Sequence, residues 1–329
     1  MIFLLTATVW PQEPTFRTRT REVIVPVSVV TKSGKPVETL TENDFQLLND
    51  GKPQKVRMVM RDSSPVPIYA VIVLQLDADS APALAKVKKT AAMISGYTTN
   101  DMGIEQPSKA AVVTAADQVK LLQNFTADPD TLGDSFAKLS AKGNSARLIN
   151  GINLACDLLK TTDTAVRRII VLISESRDTG SVARFSDVVV KAQTEDIVVY
   201  TVSYSAFVTA FTQKTSDLPG PSDQPGLYDP NNHGGINLLA IPMLLAQLGQ
   251  TNVAAALAQS TGGSHQRFTT LRGLETQLTN VGTDIHNRYV VSFVPPASQP
   301  PGYHELTVRL RTPGEGRIQA RSGYWTSPE

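Results

Sequence analysis

Residues 68–80, which read IYAVIVLQLDADS, set the architecture of the chain. The stretch is apolar on both faces until it ends in two aspartates. A run of this kind is typical of a central strand in a parallel sheet that helices cover on both sides. Ligands of open α/β sheets bind in the crevice at the carboxyl ends of the strands. Asp77 and Asp79 follow the end of this predicted strand and are therefore the first candidate site residues.

Two further apolar runs repeat the pattern downstream. Residues 169–174 (IIVLIS) and 197–204 (IVVYTVSY) are predicted to be central strands, and the first of them is followed by Glu175 and Asp178. Alternating strands and helices joined by right-handed crossovers predict a doubly wound, mostly parallel sheet flanked by helices. Amphipathic helices are predicted at residues 146–159, 185–194 and 271–287.

Both ends of the chain have the pattern of β-structure. Residues 16–64 contain alternating valines, and residues 287–329 contain three short strand patterns separated by Pro-rich and Gly-rich turns. We expect these two segments to form one small β-sandwich-like module. The α/β domain, residues 65–286, is then inserted between its halves. Within that domain, residues 212–235 are rich in Pro, Gly, Asp and Asn and are predicted to be a flexible loop.

Composition excludes several classes of function. The 329 residues carry a net charge of +1 and no basic stripe, which argues against a nucleic-acid partner. No internal segment has the roughly 20 consecutive apolar residues of a transmembrane helix, so no membrane span is predicted. The only cysteine, Cys156, is predicted to be a small buried apolar residue rather than a nucleophile. Residues 1–15 are apolar and are interpreted as a truncated signal segment.

Three segments, in the order in which they occur, resemble one known family. They are residues 23–56 (VIVPVSVVTKSGKPVETLTENDFQLLNDGKPQKV), residues 167–178 (RRIIVLISESRD), and the closing RYVVSFVPP, YHELTVRLR and IQARSGYW. These segments are similar to those of proteins with a von Willebrand factor type A (vWA) domain, specifically the bacterial vWFA-related proteins abundant in Acidobacteria. The resemblance covers nearly the whole chain. It implies a domain that binds another protein, and it favours export to the periplasm or the cell exterior.

The resemblance also implies a metal-ion-dependent adhesion site. In that family the site uses a DxSxS motif after the first strand, a Thr in a later loop, and an Asp after the fourth strand. This chain departs from the motif in either alignment. With Asp77 in the first position, Asp79 and Ala81 take the places of the serines. With Gln75 in the first position, Asp77 and Asp79 take those places.

The later positions are also replaced. Ser145 is the nearest substitute for the Thr, Asn150 stands where an Asp is frequent, and Glu175 replaces the final Asp. Two hypotheses stay open. In one, the site has lost its metal and these residues are solvated loop side chains. In the other, Mg²⁺, which prefers oxygen ligands, is held in an altered geometry by Asp77, Asp79, Ser145 and Glu175.

The leading prediction is therefore a non-catalytic interaction protein of the adhesion or scaffold type, with a protein partner bound at the carboxyl edge of the sheet. The candidate residues for binding a partner or an ion are Gln75, Asp77, Asp79, Ser145, Asn150, Glu175 and Asp178. The alternative is a metal-assisted hydrolase that uses Asp77, Asp79 and Glu175. The absence of a G-x-S-x-G nucleophile elbow and of a Gly-rich phosphate loop argues against an enzyme. Residues 262–265 (GGSH) are interpreted as a helix end rather than a catalytic Ser/His pair.

Overall fold

The structure is a computed structural model that describes residues 22–31, 35–59, 66–99, 107–163, 166–175, 177–205, 252–312 and 316–326. The predicted signal segment, residues 1–15, and the predicted loop, residues 212–235, lie outside these ranges. The described residues form one six-stranded sheet and two four-stranded sheets.

The elements follow one another along the chain in three groups. The opening strands are β1 (Val23–Val30), β2 (Phe45–Asn49), β3 (Lys52–Gln54) and β4 (Arg57–Val59). The α/β part contains β5 (Ile68–Gln75), α1 (Ala81–Lys89), α2 (Ala91–Thr99), β6 (Lys109–Ala115), β7 (Val119–Thr126), α3 (Pro129–Ala137), α4 (Leu148–Lys160), β8 (Arg167–Ser174), α5 (Phe185–Thr194), β9 (Val198–Ser203), α6 (Val253–Thr261), β10 (His265–Arg267) and α7 (Leu271–His286). The closing strands are β11 (Tyr289–Phe293), β12 (Gly302–Leu310), β13 (Arg317–Ala320) and β14 (Gly323–Thr326).

The central sheet has the strand order β10-β9-β8-β5-β6-β7. The strand β5 lies between β8 and β6 and runs parallel to both. The pairs β8–β9 and β9–β10 are also parallel, whereas β7 runs antiparallel to β6 at one edge. The doubly wound, mostly parallel sheet predicted from the sequence is confirmed.

The two-sided burial of β5 explains its unbroken apolar sequence. Ile72 and Leu74 face a core built with α1, α2, α3 and α7, while Val71 and Val73 face a second core built with α4, α5 and α6. Each of these four side chains is at most 2% exposed. Burial of a side chain of this size stabilises the fold by about 1.5–3 kcal/mol. A polar residue inside this strand would therefore be costly, and polar residues begin only where the strand ends.

The β module joins the two ends of the chain. In one of its sheets β1 pairs with β11 and β13, and in the other β2 pairs with β12, all antiparallel. Apolar side chains from both segments fill a third core, for example Val25, Phe45 and Phe293. The predicted β-sandwich-like module of N- and C-terminal strands is confirmed, and the α/β part is inserted between its halves.

Two buried arginines connect the β module to the helices of the α/β part. Arg288 donates to the carbonyl oxygen of Gly262, which caps the C-terminus of α6, and to the Asp284 carboxylate at 3.3 Å. Arg321 donates to Asp196 Oδ1 at 2.9 Å, just after α5. Cations are favourable at helix C-termini, where carbonyl groups lack partners. The arginines of the closing RYVVSF and QARSGY segments thus have a structural role at the amino edge of the sheet.

Candidate functional site

Gln75, the last residue of β5, joins the carboxyl ends of two strands. Its side chain is buried, and its amide Nε2 donates to Asp77 Oδ2 at 2.7 Å. Its Oε1 accepts a hydrogen bond from the backbone nitrogen of Glu175 at 2.8 Å. Because Glu175 directly follows β8, this one amide group fixes the ends of β5 and β8 relative to each other. Gln75 is therefore a positioning residue of the edge.

Asp77 and Asp79 have different surroundings although they are two residues apart. Asp77 Oδ1 accepts from the backbone nitrogen of Ser80 at 3.0 Å and caps the short 3-10 turn Ala78–Ser80, so both of its carboxylate oxygens have donors from the protein. Asp79 lies on that turn and is exposed. Within the described part of the chain, its carboxylate has no hydrogen bond. Asp79 is thus the more available of the two predicted aspartates.

Ser145 lies beside Asp117, which no sequence motif marks as a site residue. Asp117 Oδ1 accepts from the Ser145 hydroxyl at 2.7 Å, from the Ser145 backbone nitrogen at 3.0 Å and from the Asn144 backbone nitrogen at 3.1 Å. These hydrogen bonds, first that of the Ser145 hydroxyl, lower the pKa of Asp117 below its usual value. A Cβ at Gly143, where φ is +94°, would lie 2.3 Å from the same carboxylate. A side chain at position 143 would clash with this carboxylate, so glycine allows the loop to pass close to Asp117.

Asn150 and Asp178 hold the loop that follows β8. Asp178 Oδ1 accepts from the Ile149 backbone nitrogen at 2.9 Å, which satisfies a free N–H in the first turn of α4. Asn150 Oδ1 accepts from the backbone nitrogens of Val182 at 3.1 Å and Ala183 at 2.9 Å. Both predicted binding residues therefore direct oxygens to donors within the protein.

Val182 is the most exposed large apolar side chain of the described residues. It is 85% exposed and lies on the loop that Asn150 and Asp178 fix to the start of α4. Isolated exposed apolar residues are common on protein surfaces. This one differs because its backbone nitrogen is hydrogen-bonded, so that the side chain is held out to solvent on an ordered loop.

Tyr204, at the end of β9, lies beneath the acidic part of the edge. It is 5% exposed, and the Ser80 hydroxyl lies within hydrogen-bonding reach of its own hydroxyl. Because the Ser80 hydroxyl donates to the carbonyl oxygen of Asp77 at 2.6 Å, its oxygen is free to accept from Tyr204. Burial raises the pKa of the Tyr204 hydroxyl above its usual value and keeps it neutral. Three nearby carboxylates raise that pKa further: Asp77, Glu175 and Asp79.

Two of the four predicted metal ligands, Asp77 and Ser145, make hydrogen bonds within the protein. Magnesium binds oxygens at about 2.0–2.1 Å in near-ideal octahedral geometry. Here the Asp77 oxygens already accept from Gln75 and Ser80, and the Ser145 hydroxyl donates to Asp117. In the described ranges, no three His, Cys, Asp or Glu side chains are grouped so that they could hold a metal ion. Asp77, Asp79 and Glu175 share one neighbourhood, whereas Ser145 is bound to a different carboxylate.

Cys156 and His265 have structural surroundings. Cys156 is fully buried, and burial raises the pKa of its thiol to about 12, which confirms its predicted role as a buried apolar residue. Burial lowers the pKa of His265 to about 4, and its Nδ1 lies 2.7 Å from Thr201 Oγ1. Gly262, at φ +81°, caps α6, so the predicted helix end in GGSH is confirmed. None of the helices in the described part is both long and apolar enough to span a membrane.

Comparison with known proteins gives structural similarity only. No protein-family model and no curated protein matches the sequence. Among solved structures, the chain is similar to the conserved hypothetical protein BatB from Bacteroides thetaiotaomicron (14% identity, 66% of this chain and 98% of that chain, TM-score 0.43). It is also similar to the VWA domain of SpRpn10 (17% identity, 44% and 79% covered, TM-score 0.36). A third similar structure is proximal thread matrix protein 1 from the mussel byssus with a zinc-occupied MIDAS motif (10% identity, 71% and 49% covered, TM-score 0.46).

These similar structures include vWA domains, as the sequence resemblance led us to expect, and the likeness is one of fold alone. The closer resemblance to the bacterial vWFA-related proteins abundant in Acidobacteria stays a prediction from the sequence.

Proposed function

We propose that this vWA-related protein is a non-catalytic interaction module that binds another protein at the carboxyl edge of its central sheet. The observation that carries the proposal is Val182, an apolar side chain that is 85% exposed on a loop tied down by Asn150 and Asp178. A loop that is ordered before binding loses little conformational entropy when a partner docks. Burying a valine side chain in the contact stabilises the complex by about 1.5 kcal/mol or more.

The chemistry of the described side chains supports binding rather than catalysis. A general base must have an available lone pair near the operating pH, and a nucleophile must be reachable. Both oxygens of Asp77 are occupied by protein donors, the Cys156 thiol is buried, and His265 is half-buried beside Thr201. These residues have structural roles, so we assign partner binding to the exposed loops.

We also infer that the interaction does not depend on Mg²⁺, since the donors of the predicted site are used within the protein. Export of the protein rests on the apolar segment 1–15 and on the sequence resemblance, and it stays part of the proposal.

The test is capture of a partner from a native extract with tagged wild-type protein and with two matched variants. Val182→Asp replaces the exposed valine on the edge loop, and Leu121→Ser replaces a 40% exposed leucine on the edge strand β7. We expect wild type and Leu121→Ser to capture the same protein, with or without a chelator, and Val182→Asp to lose it. Equal capture by all three proteins would exclude the loop as the binding surface, and loss with the chelator would restore a metal-dependent site.

A further inference from the structure

A small cavity lies at the junction between the β module and the α/β part, at the amino edge of the central sheet. Its volume is about 10 Å³, and roughly 10–15 Å³ is enough to hold one water molecule. Pro26 and Arg321 of the β module line the cavity, together with Gln193, Asp196 and Thr261 of the α/β part. Both parts of the chain therefore form its wall.

Gln193, near the end of α5, provides a buried acceptor on this wall. The residue is 3% exposed, and its amide Nε2 donates to the carbonyl oxygen of Ser260 at 2.7 Å. This hydrogen bond fixes the orientation of the amide group, because only its nitrogen can donate. The other polar atom of the amide, Oε1, is buried and has no hydrogen bond among the described residues.

Arg321, which follows β13, provides a buried donor on the same wall. The residue is 5% exposed, and its Nη1 donates to Asp196 Oδ1 at 2.9 Å and to the carbonyl oxygen of Gln193 at 3.5 Å. The second contact places the guanidinium group beside Gln193. The Nε–H group of Arg321 is also buried and has no hydrogen bond within the described ranges. Because arginine stays protonated in proteins, this N–H group needs an acceptor.

The combination of one donor and one acceptor selects water among small ligands. A chloride ion could accept from Arg321 Nε, but the carbonyl-type oxygen of Gln193 would repel it. A sodium ion could bind to Gln193 Oε1, but the guanidinium group would repel it. A water molecule can accept from the first group and donate to the second, and buried waters of this kind usually serve otherwise unsatisfied polar groups.

We propose that one buried water molecule bridges Arg321 Nε and Gln193 Oε1 and is a permanent part of the junction. The water accepts a hydrogen bond from the arginine of the β module and donates one to the glutamine of α5. It completes the hydrogen bonding of both side chains and joins the two parts of the chain. The site lies at the sheet edge opposite to Val182, so it goes beyond the proposed function and does not depend on it.

The test uses the full chain, in a high-resolution crystal structure and by nuclear magnetic resonance in solution. In the crystal we expect one ordered water with its oxygen about 2.7–3.2 Å from both Arg321 Nε and Gln193 Oε1. In solution we expect a nuclear Overhauser effect between water and the Arg321 Hε proton, with the sign that distinguishes a direct contact from proton exchange. Gln193→Leu removes the acceptor and should abolish this effect. Gln118→Leu, in the exposed turn between β6 and β7, is the control that should leave it unchanged.

Three results would overturn the water bridge. One is a crystal structure without an ordered water between the two side chains, and another is a direct hydrogen bond from Arg321 Nε to Gln193 Oε1. The third is an unchanged Overhauser effect in folded Gln193→Leu, which would show that the glutamine does not hold the water. If Gln193→Leu does not fold, the two measurements on the wild-type protein decide the proposal.

Discussion

The two edges of the central sheet differ in whether their charged side chains are paired within the protein. At the amino edge, where the β module meets the helices, each arginine has an acidic partner within the protein: Arg288 contacts Asp284, and Arg321 contacts Asp196. At the carboxyl edge, Asp77 accepts only from neutral N–H groups, and Asp79 has no cation beside it in the described residues. The amino edge thus pairs its buried charges within the protein, although Arg288 and Arg321 each keep buried N–H groups without a hydrogen bond among the described residues. At the carboxyl edge the acidic side chain of Asp79 is exposed instead.

Under the proposed function, the amino edge serves stability and the carboxyl edge serves binding. Buried ion pairs resist disruption, because removing one partner leaves an uncompensated charge. An exposed apolar side chain such as Val182 is stabilised when a partner covers it. The following substitutions test this contrast, from the largest expected effect to the smallest.

Arg288→Met should have the largest effect, because it leaves the Asp284 carboxylate buried without its cation. The Arg288 and Asp284 side chains are 2% and 8% exposed. Breaking a buried pair from one side costs about 3–5 kcal/mol in the free energy of unfolding. Urea unfolding measures the loss, and Arg272→Met on the exposed face of α7 is the control, expected to stay within about 0.5 kcal/mol of wild type. A loss at Arg288 as small as that of the control would show that the junction is not held by this pair.

Gln75→Leu should have the next largest effect, at the carboxyl edge. The change leaves the Glu175 backbone nitrogen and one Asp77 oxygen without a partner. We expect a loss of about 1–3 kcal/mol in urea unfolding, together with faster hydrogen exchange at the Glu175 amide. Gln118→Leu, in the exposed turn between β6 and β7, is the matched control. Unchanged exchange at Glu175 would contradict the role of Gln75 as the link between β5 and β8.

Asn150→Ala should have a smaller and more local effect. It removes the acceptor for the Val182 and Ala183 nitrogens, so the loop loses order at a cost of about 0.5–1.5 kcal/mol. Hydrogen exchange at these two amides should become faster, and partner capture should weaken although Val182 itself is intact. Asn144→Ala changes an exposed asparagine on the neighbouring loop and should alter neither. Full capture by a protein with a mobile loop would show that the order of the loop does not matter.

Ser145→Ala should have the smallest effect, a loss of stability that is present at neutral pH and shrinks as the pH falls through the pKa of Asp117. The Ser145 hydroxyl is the main cause of the lowered pKa of Asp117, so the variant should raise that pKa towards the usual value near 3.9. A carboxyl group with a lowered pKa in the folded state stabilises the fold above its unfolded pKa and loses this effect as the pH falls through the folded value. Acid unfolding of the variant should therefore begin at a higher pH than that of wild type. An unchanged Asp117 titration, followed by its carboxyl ¹³C signal, would contradict the assignment.

Much of the fold follows from local sequence pattern. The residues of β5 and β8 are apolar without interruption, and burial on both faces is the physical reason, so the central sheet could be predicted from them. The alternating valines of β1 predicted an opening strand, and its pairing with β11 confirms the joined β module. These predictions succeed because periodicity reports directly on which faces are buried.

The candidate site was only partly predictable. Gln75, Asp77 and Glu175 lie together because strand ends meet at one edge, which the strand assignments already implied. The contact between Asp117 and Ser145 joins residues 28 positions apart, and no local pattern indicates it. Asn150 and Asp178 were predicted to bind a partner or an ion, but sequence does not reveal whether an oxygen faces a ligand or a backbone N–H.

Tyr204 was missed for a related reason. It ends an apolar run and was assigned to the strand core, and most of its side chain is indeed packed there against Phe268. The only signal in the sequence was a hydroxyl-bearing residue at the carboxyl end of a central strand. Its position beside Asp77, Asp79 and Glu175 depends on the tertiary structure alone.

The central claim, that the carboxyl edge is the surface that meets a partner, is tested most directly by site-specific photo-crosslinking. A photoreactive amino acid is placed at position 182 on the edge loop or, as the control, at position 121 on β7, and each protein is irradiated in native extract. We expect one crosslinked protein from position 182, with none from position 121 and no change when Mg²⁺ is chelated. Crosslinks from position 121 alone, or the same crosslinks from both positions, would contradict it.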